Sequence, residues 1–111
     1  MQTGIFTYRL SDAAKEDMVE IYDYISFNLS NPDAANAFFD EFDIKAVEIC
    51  KSPKSGIPVN NEYIIRDDVR KFLVKNYIAY YIADFENNEI QIARVVYGGM
   101  DQEKVFRKTS F

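Results

Sequence analysis

The stretch VRKFLVKNYIAYYIADFENNEIQIARVVY, which runs from Val69 to Tyr97, decides the fold of this chain. It contains three segments rich in β-branched and aromatic residues, separated by the polar interruptions KN and FENNE. Asparagine tolerates the left-handed backbone conformation that tight turns need, so both interruptions predict hairpins. The middle segment, YIAYYIAD, is apolar on both faces, which is typical of a central strand. The stretch therefore predicts an antiparallel meander of three strands.

The last segment of this meander ends in a pair of glycines. Regular alternation along the strand predicts that Arg94 shares a face with Ile92 and lies on the face opposite Tyr97. Gly98-Gly99 follows directly. Two glycines at this place indicate either a sharp turn at positive φ or the close approach of another backbone segment.

Two stretches upstream have the periodicity of amphipathic helices. The first follows a strand-like segment, Ile5 to Leu10, and has Ser11 at its N-cap position. It should end near Asn28, and Asn31 followed by Pro32 predicts the start of a second helix. The short break between them predicts an antiparallel helical hairpin. The core-facing stripe of the second helix is expected to consist of Ala35, Phe38, Phe39, Phe42, Ala46 and Ile49.

The remaining segments complete an α+β domain. SPKSGIP, from Ser52 to Pro58, reads as a loop, and EYIIR after it predicts a short edge strand. Asp101 is expected to cap a short last helix that contains Val105 and Phe106. We therefore predict one domain over residues 1–111, in which a helical hairpin packs on a mainly antiparallel sheet in the order β-α-α-β-β-β, with a short C-terminal helix.

Composition excludes several kinds of chemistry. The 111 residues include no histidine and one cysteine, so histidine-based triads, zinc sites built from histidine or thiolates, and an internal disulfide are ruled out. We expect no metal and no cofactor. The net charge of −5 opposes phosphate-driven nucleic-acid binding and favours a basic partner. The N-terminus lacks the pattern of a signal peptide and no apolar run is long enough for a membrane span, so a cytoplasmic protein is expected.

Basic residues are concentrated in the β-rich half, whereas the helices hold most of the acid. A sheet face that combines lysine, arginine and tyrosine is suited to holding phosphates and stacking bases. The alternative is that these cations pair with carboxylates on a solvated sheet edge, such as Asp67, Asp68, Asp84 and Glu86. The cations are Arg66, Arg70, Lys71, Lys75 and Arg94.

The helical hairpin sequence, the motif VRKFLVKNY, the motif RVVYGG and Asp101 together resemble the RelE/ParE superfamily of toxins from bacterial type II toxin–antitoxin systems. The resemblance covers the chain from about Tyr8 to Phe106. It implies a small cytoplasmic toxin that is held inactive by a cognate antitoxin and that reaches operator DNA only through that antitoxin. RelE-like relatives cleave messenger RNA on the ribosome without metal, and ParE-like relatives inhibit DNA gyrase.

The resemblance also implies site residues. Arg70 and Lys71 match the basic strand of the RelE-like nucleases, and with Arg94 and Tyr97 they form the candidate catalytic set. We further expect Arg66, Lys75, Tyr77 and Asp101 to bind the target or the antitoxin.

Several positions depart from the nuclease pattern. Relatives often carry arginine where this chain has Ile78, an arginine pair where it has Gly99-Met100, and a tyrosine near Phe106. Loss of such a transition-state donor commonly costs about 100-fold or more in rate. The sequence therefore favours a gyrase-binding toxin or a degenerate member of the superfamily, with a metal-free mRNA endoribonuclease as the alternative.

Overall fold

A computed structural model of the chain describes residues 5–109 and 111. The elements follow the predicted order, with one additional short strand before the meander, and the predicted α+β class is confirmed. No helix in this part of the chain is long and apolar enough to cross a membrane. The strands are β1 (Thr7–Leu10), β2 (Ile57–Pro58), β3 (Val69–Val74), β4 (Tyr77–Asp84) and β5 (Glu89–Tyr97). The helices are α1 (Asp12–Asp23), α2 (Pro32–Lys51) and α3 (Gln102–Arg107), with a π-helical turn (Tyr24–Asn28) after α1.

The five strands form one sheet in the order β1-β5-β4-β3-β2. The predicted meander is confirmed, since β3, β4 and β5 pair antiparallel in sequence order. β1 pairs parallel with β5, because the helical hairpin carries the chain across the sheet before the meander begins. The prediction of an edge strand at EYIIR was wrong. The edge strand is β2, which lies inside the segment interpreted as a loop and pairs with β3.

Side-chain caps begin both helices of the hairpin where the sequence predicted. The Ser11 hydroxyl accepts the backbone N–H of Ala14 at 3.0 Å, and the Asn31 side chain accepts that of Ala34 at 3.1 Å. These bonds satisfy amides that the first turn of a helix leaves without an intrahelical partner. The first helix continues as the π-helical turn and ends at Asn28, as expected.

The sheet is covered on both faces. The hairpin covers one face, where Phe38, Phe42 and Tyr81 are among the buried side chains. The C-terminal segment covers part of the other face, where Val105 and Phe106 pack with Tyr80 and its neighbours. Sequence periodicity predicted that Phe39 would lie in the core, and this was wrong. Phe39 lies at the side of the buried stripe and is 36% exposed, whereas the adjacent Phe38 is fully buried.

A β-bulge in β5 changes which side chains share a face. Tyr81 pairs with Ile92 and Tyr80 pairs with Arg94, so Ala93 is an extra residue without a partner on β4. Each extra residue reverses the alternation of the strand beyond it. The regular pattern predicted for β5 was therefore wrong, and Arg94 lies on the face opposite Ile92.

The hairpin turns differ in detail from the prediction. In the β3–β4 turn the residue with positive φ is Lys75, at 53°, whereas asparagine was expected to supply that conformation. In the β4–β5 turn an asparagine does so, since Asn88 has φ 52°. No positive φ occurs at any glycine of the described part of the chain, so Gly98 and Gly99 are not there for a left-handed turn.

Candidate functional site

The sheet distributes the four predicted catalytic residues over both of its faces. Arg70 alternates with Lys71 along β3, so the two side chains lie on opposite faces. Lys71 pairs with Tyr80 on β4, and Tyr80 pairs with Arg94 on β5, which puts Lys71 and Arg94 on one face with Tyr80 between them. Two strand spacings separate them by about 10 Å. Tyr97 lies at the far end of β5.

Arg94 is held by a carboxylate from the first helix. Its Nε and Nη2 donate to Asp17 Oδ2 at 2.7 Å and Oδ1 at 3.0 Å, and its Nη1 donates to Thr109 Oγ1 at 3.2 Å. The hydrogen bond to Asp17 is the largest cause of the raised pKa of Arg94. The guanidinium therefore joins α1, β5 and the C-terminal segment, and its bidentate edge is already occupied.

Asp17 also completes the edge of β5. β1 ends at Leu10, opposite Ile92, and leaves the rest of that edge without a partner strand. Asp17 Oδ2 accepts the backbone N–H of Val95 at 2.9 Å, and the Ser11 hydroxyl donates to the carbonyl of Ala93 at 2.7 Å. Asp17 was not singled out from the sequence, although its position among the apolar stripe of α1 is the signal that could have identified it.

Arg70 fastens the loop after the hairpin to the sheet. Its Nη1 donates to the carbonyl of Gly56 at 2.7 Å, while the Tyr81 hydroxyl donates to Pro53 O at 2.8 Å and accepts Gly56 N–H at 3.1 Å. A Cβ on Gly56 would lie 2.3 Å from the Tyr81 hydroxyl oxygen. Glycine is therefore required here by a close approach to Tyr81 that no sequence pattern predicted.

Two further residues predicted to bind a partner have local structural contacts. Arg66 makes a two-point contact with Asp68 on the surface, at 2.8 and 2.7 Å, which is one of the surface pairings that the sequence left open for the cations. The carboxylate of Asp101 accepts the Glu103 N–H at 3.1 Å and caps α3, as predicted.

An open apolar cleft of about 830 Å³, which we call the terminal cleft, lies where the hairpin meets the end of the meander. Among the described residues that line it, Lys75 is the only charged one. Several large side chains at its rim are about half exposed, among them Leu29 at 54% and Met100 at 54%. The residues that line it are Tyr24, Ile25, Leu29, Ala34, Ala37, Phe38, Lys75, Asn76, Tyr77, Tyr97 and Met100.

The pair of glycines lies between Tyr97 and Met100, two of the residues that line the terminal cleft. A Cβ on Gly99 would lie 2.5 Å from Cε2 of Tyr97, and one on Gly98 would lie 3.1 Å from the Asn76 carbonyl oxygen. Gly98 N–H donates to that carbonyl at 2.8 Å. Of the two roles considered from the sequence, close approach to another backbone segment is therefore correct for Gly98, whereas the close neighbour of Gly99 is the ring of Tyr97.

The aromatic side chains of the terminal cleft pack edge to face. Tyr77 contacts Phe38 and Tyr97 with ring centroids 5.0 and 5.9 Å apart. Burial is the main cause that raises the pKa of Tyr77, so this phenol stays protonated at neutral pH. A raised pKa makes Tyr77 a poor general base. Within the described residues no cluster of three or more carboxylate or thiol ligands could hold a metal ion.

Comparison with known families shows that the chain belongs to the RelE/ParE superfamily of small toxins from toxin–antitoxin systems. A family model described as the ParE toxin of the type II toxin–antitoxin system parDE matches residues 8–102. The chain therefore belongs to the ParE toxin family. No curated protein gives a significant match to the sequence.

Two solved structures share the fold. A structure of the chromosomal ParDE toxin–antitoxin system from P. aeruginosa superposes with a TM-score of 0.65 at 19% identity, over 84% of this chain and 96% of that chain. A structure of the RelBE2 toxin–antitoxin complex from Mycobacterium tuberculosis has a TM-score of 0.59 at 21% identity, over 85% of this chain and 99% of that chain. Similarity at this level of identity shows the fold.

Proposed function

We propose that this chain is the toxin of a type II toxin–antitoxin pair, that a cognate antitoxin holds it inactive in the cytoplasm, and that it acts by binding DNA gyrase. Membership of the ParE toxin family supports the toxin role. The similar structures come from toxin–antitoxin assemblies, which supports an antitoxin as partner. Contact with operator DNA is then made through the antitoxin.

The observation that favours gyrase over RNA as the target is that the cations of the sheet are dispersed, whereas the terminal cleft is apolar. Arg94 is bound by Asp17, Arg70 by Gly56, and Lys71 lies on the other face of the sheet from Arg70. The terminal cleft is apolar, aromatic and nearly uncharged, which suits side chains of a protein partner better than phosphates. In this proposal Lys75, Tyr77 and Tyr97 contact the target, whereas Arg66 and Asp101 are not among the residues that line the cleft.

One observation favours the alternative, a metal-free mRNA endoribonuclease. Lys71 and Arg94 lie in the same cross-strand row on either side of Tyr80, so they would flank a phosphate placed over that tyrosine. Tyr80 is only 2% exposed, because Phe106 and Phe111 pack against its ring. Cleavage at this face would therefore require the C-terminal segment to move away and Arg94 to leave Asp17.

A direct comparison of two purified systems tests the proposal. We expect the protein to inhibit DNA supercoiling by gyrase and to leave ribosome-bound messenger RNA uncut. Replacing Tyr97 and Met100 by alanine should abolish the inhibition, while Ile65→Ala, at a fully exposed position elsewhere, should not. Cleavage of the RNA that is lost in Lys71→Ala would overturn the choice of gyrase and establish the nuclease.

Induced expression in a bacterial host separates the same two activities in cells. Pulse labelling should show an early fall in DNA synthesis, with protein synthesis falling later. An early fall in protein synthesis would favour the nuclease. If soluble, folded protein affected neither synthesis, the toxin role itself would be contradicted and binding of an antitoxin would be the activity that is left.

A further inference from the structure

Three β-branched apolar side chains point into solvent from the helical hairpin. Val19 is 60% exposed, Ile44 is 55% exposed and Val47 is 40% exposed. Isoleucine and valine form helices less readily than alanine, lysine or glutamate, so they bring no local advantage at solvent-facing positions of a helix. Helix propensity therefore does not account for their presence on this surface.

The two residues on α2 lie on the side of that helix away from the sheet. The buried positions of α2 include Phe38, Phe42 and Ile49, which face the sheet. Ile44 and Val47 are three residues apart and hence neighbours on the opposite side. This site is distinct from the terminal cleft, whose lining residues on α2 lie in its first two turns.

Carboxylates flank each of these apolar residues. Asp40 lies one turn before Ile44 and Glu48 one turn after it, next to Val47 in the sequence, while Glu16 and Asp23 lie one turn before and after Val19. All four carboxylate residues are exposed, and none is in an ion pair within the part of the chain that the structure describes. We call this surface, with its three apolar and four acidic residues, the outer face of the hairpin.

The net charge of the hairpin selects the partner. Residues 12–51 contain ten acidic and three basic side chains, a net charge of −7, whereas the rest of the chain has eight acidic and ten basic side chains, a net charge of +2. A field of this sign repels nucleic-acid phosphates, an anionic membrane surface and a second copy of the same face. It attracts a partner that carries lysine or arginine beside apolar side chains.

From this combination we infer that the outer face of the hairpin binds a basic amphipathic helix of a protein partner. Apolar residues spaced three or four apart on the partner helix would cover Ile44 and Val47, and lysine or arginine on both flanks would meet Asp40 and Glu48. The inference goes beyond the proposed action on gyrase, because it concerns a different surface and does not depend on toxicity.

The test uses three synthetic helical peptides and fluorescence anisotropy with the full chain. The first peptide has leucines on one face and lysines on both flanks. The second replaces the lysines by glutamates, and the third keeps the lysines and replaces the leucines by serines. We expect only the first to bind well, and its affinity should fall as salt rises, because exposed charges are screened within about 10 Å at 0.1 M ionic strength.

Paired variants locate the binding surface. Ile44→Ser with Val47→Ser, and separately Asp40→Lys with Glu48→Lys, should each weaken binding of the first peptide by about tenfold or more. The matched controls are Ile65→Ser, at a fully exposed apolar position, and Glu62→Lys with Asp67→Lys, which changes the net charge equally. These controls should weaken binding by no more than about twofold. All positions are exposed, so circular dichroism should show folded protein throughout.

The inference is overturned if the hairpin and control variants lose affinity equally, since net charge alone would then explain binding. It is also overturned if the third peptide binds as well as the first, or if none of the three binds. Self-association of the chain that is lost in Ile44→Ser with Val47→Ser would contradict it as well, because a second copy would then be the occupant. Failure of gyrase inhibition leaves the inference standing.

Discussion

The carboxylate of Asp17 joins three parts of the molecule through a single side chain. It accepts hydrogen bonds from the Arg94 guanidinium and from the backbone N–H of Val95, and Arg94 in turn reaches Thr109. The side chains of Asp17 and Arg94 are 10% and 19% exposed. A mostly buried charge destabilises the fold strongly unless an opposite charge is paired with it. The arginine that the family resemblance assigns to catalysis is therefore part of the framework of this chain.

Removal of this carboxylate is predicted to be costly. Asp17→Ala should lower the free energy of unfolding by about 3–5 kcal/mol, because it leaves a mostly buried guanidinium without its counter-charge. Urea denaturation measures the change. Asp68→Ala is the control, since it breaks an exposed two-point pair with Arg66 and should cost about 1 kcal/mol or less. Equal losses in the two variants would contradict a framework role for Asp17.

The two adjacent phenylalanines of α2 give a second prediction at this scale. Phe38 is 1% exposed and Phe39 is 36% exposed. Phe38→Ala should cost about 3–5 kcal/mol through lost burial and the cavity that it leaves. Phe39→Ala should cost clearly less, because part of its ring is already in water. Urea denaturation of both variants decides the matter, and a larger loss at Phe39 would show that the helix is rotated from the orientation described.

At the scale of the elements, the loop between α2 and β3 depends on the close contact between Gly56 and Tyr81. Gly56→Ala brings a Cβ against the Tyr81 ring, whose nearest three atoms lie 2.3 to 2.8 Å away. Tyr81 is fully buried and cannot yield, so we expect a loss of about 1–3 kcal/mol from overpacking. Thermal unfolding measures it. The control is Gly98→Ala, where the tightest contact is 3.1 Å, and a loss as large there would argue against the Tyr81 contact as the cause.

Sequence periodicity predicted the elements whose cause is local. The caps at Ser11 and Asn31 and the meander from Val69 to Tyr97 each follow from residues close together in the chain, and all are confirmed. The strand β2 was missed because two residues, one of them a proline, carry no periodicity. It forms because β3 offers an open edge at that point.

The candidate site was less predictable than the fold, because its contacts join residues far apart in the chain. Arg94 and Asp17 are separated by 77 positions and Arg70 and Gly56 by 14. No pattern in either segment signals such a pair. The terminal cleft likewise collects residues from the hairpin, the β3–β4 turn, the start of β4 and the chain around the end of β5, of which only Lys75, Tyr77 and Tyr97 were predicted from the sequence as site residues.

For the molecule as a whole, stability should fall in alkaline solution. Tyr8 on β1 donates a hydrogen bond to Asp43 on α2 at 2.6 Å, and burial, followed by this hydrogen bond, raises its pKa from 10.0 to about 12. Burial is also the main cause of the raised pKa values of Tyr77, Tyr80 and Tyr81. Because the unfolded chain releases these protons first, the contribution to stability is complete below the ordinary tyrosine pKa and is lost above it.

Free energies of unfolding at about pH 9 and about pH 11 measure this loss, since the ordinary tyrosine pKa of about 10 lies between them. We expect a lower value at the higher pH. Tyr8→Phe should show a shallower decline, because it removes one of the four titrating groups. A decline as steep as that of the unchanged chain would mean that the contact between Tyr8 and Asp43 does not perturb the titration.

The extra residue in β5 has a consequence for how this chain is aligned with its relatives. Without Ala93, Ile92 would be followed directly by Arg94, and every later side chain would keep its present partner on β4. A relative with an unbulged strand therefore corresponds to this sequence only when a one-position gap is opened at Ala93. A gapless alignment would shift Arg94 and Tyr97 by one position and would equate each with a residue of the opposite face.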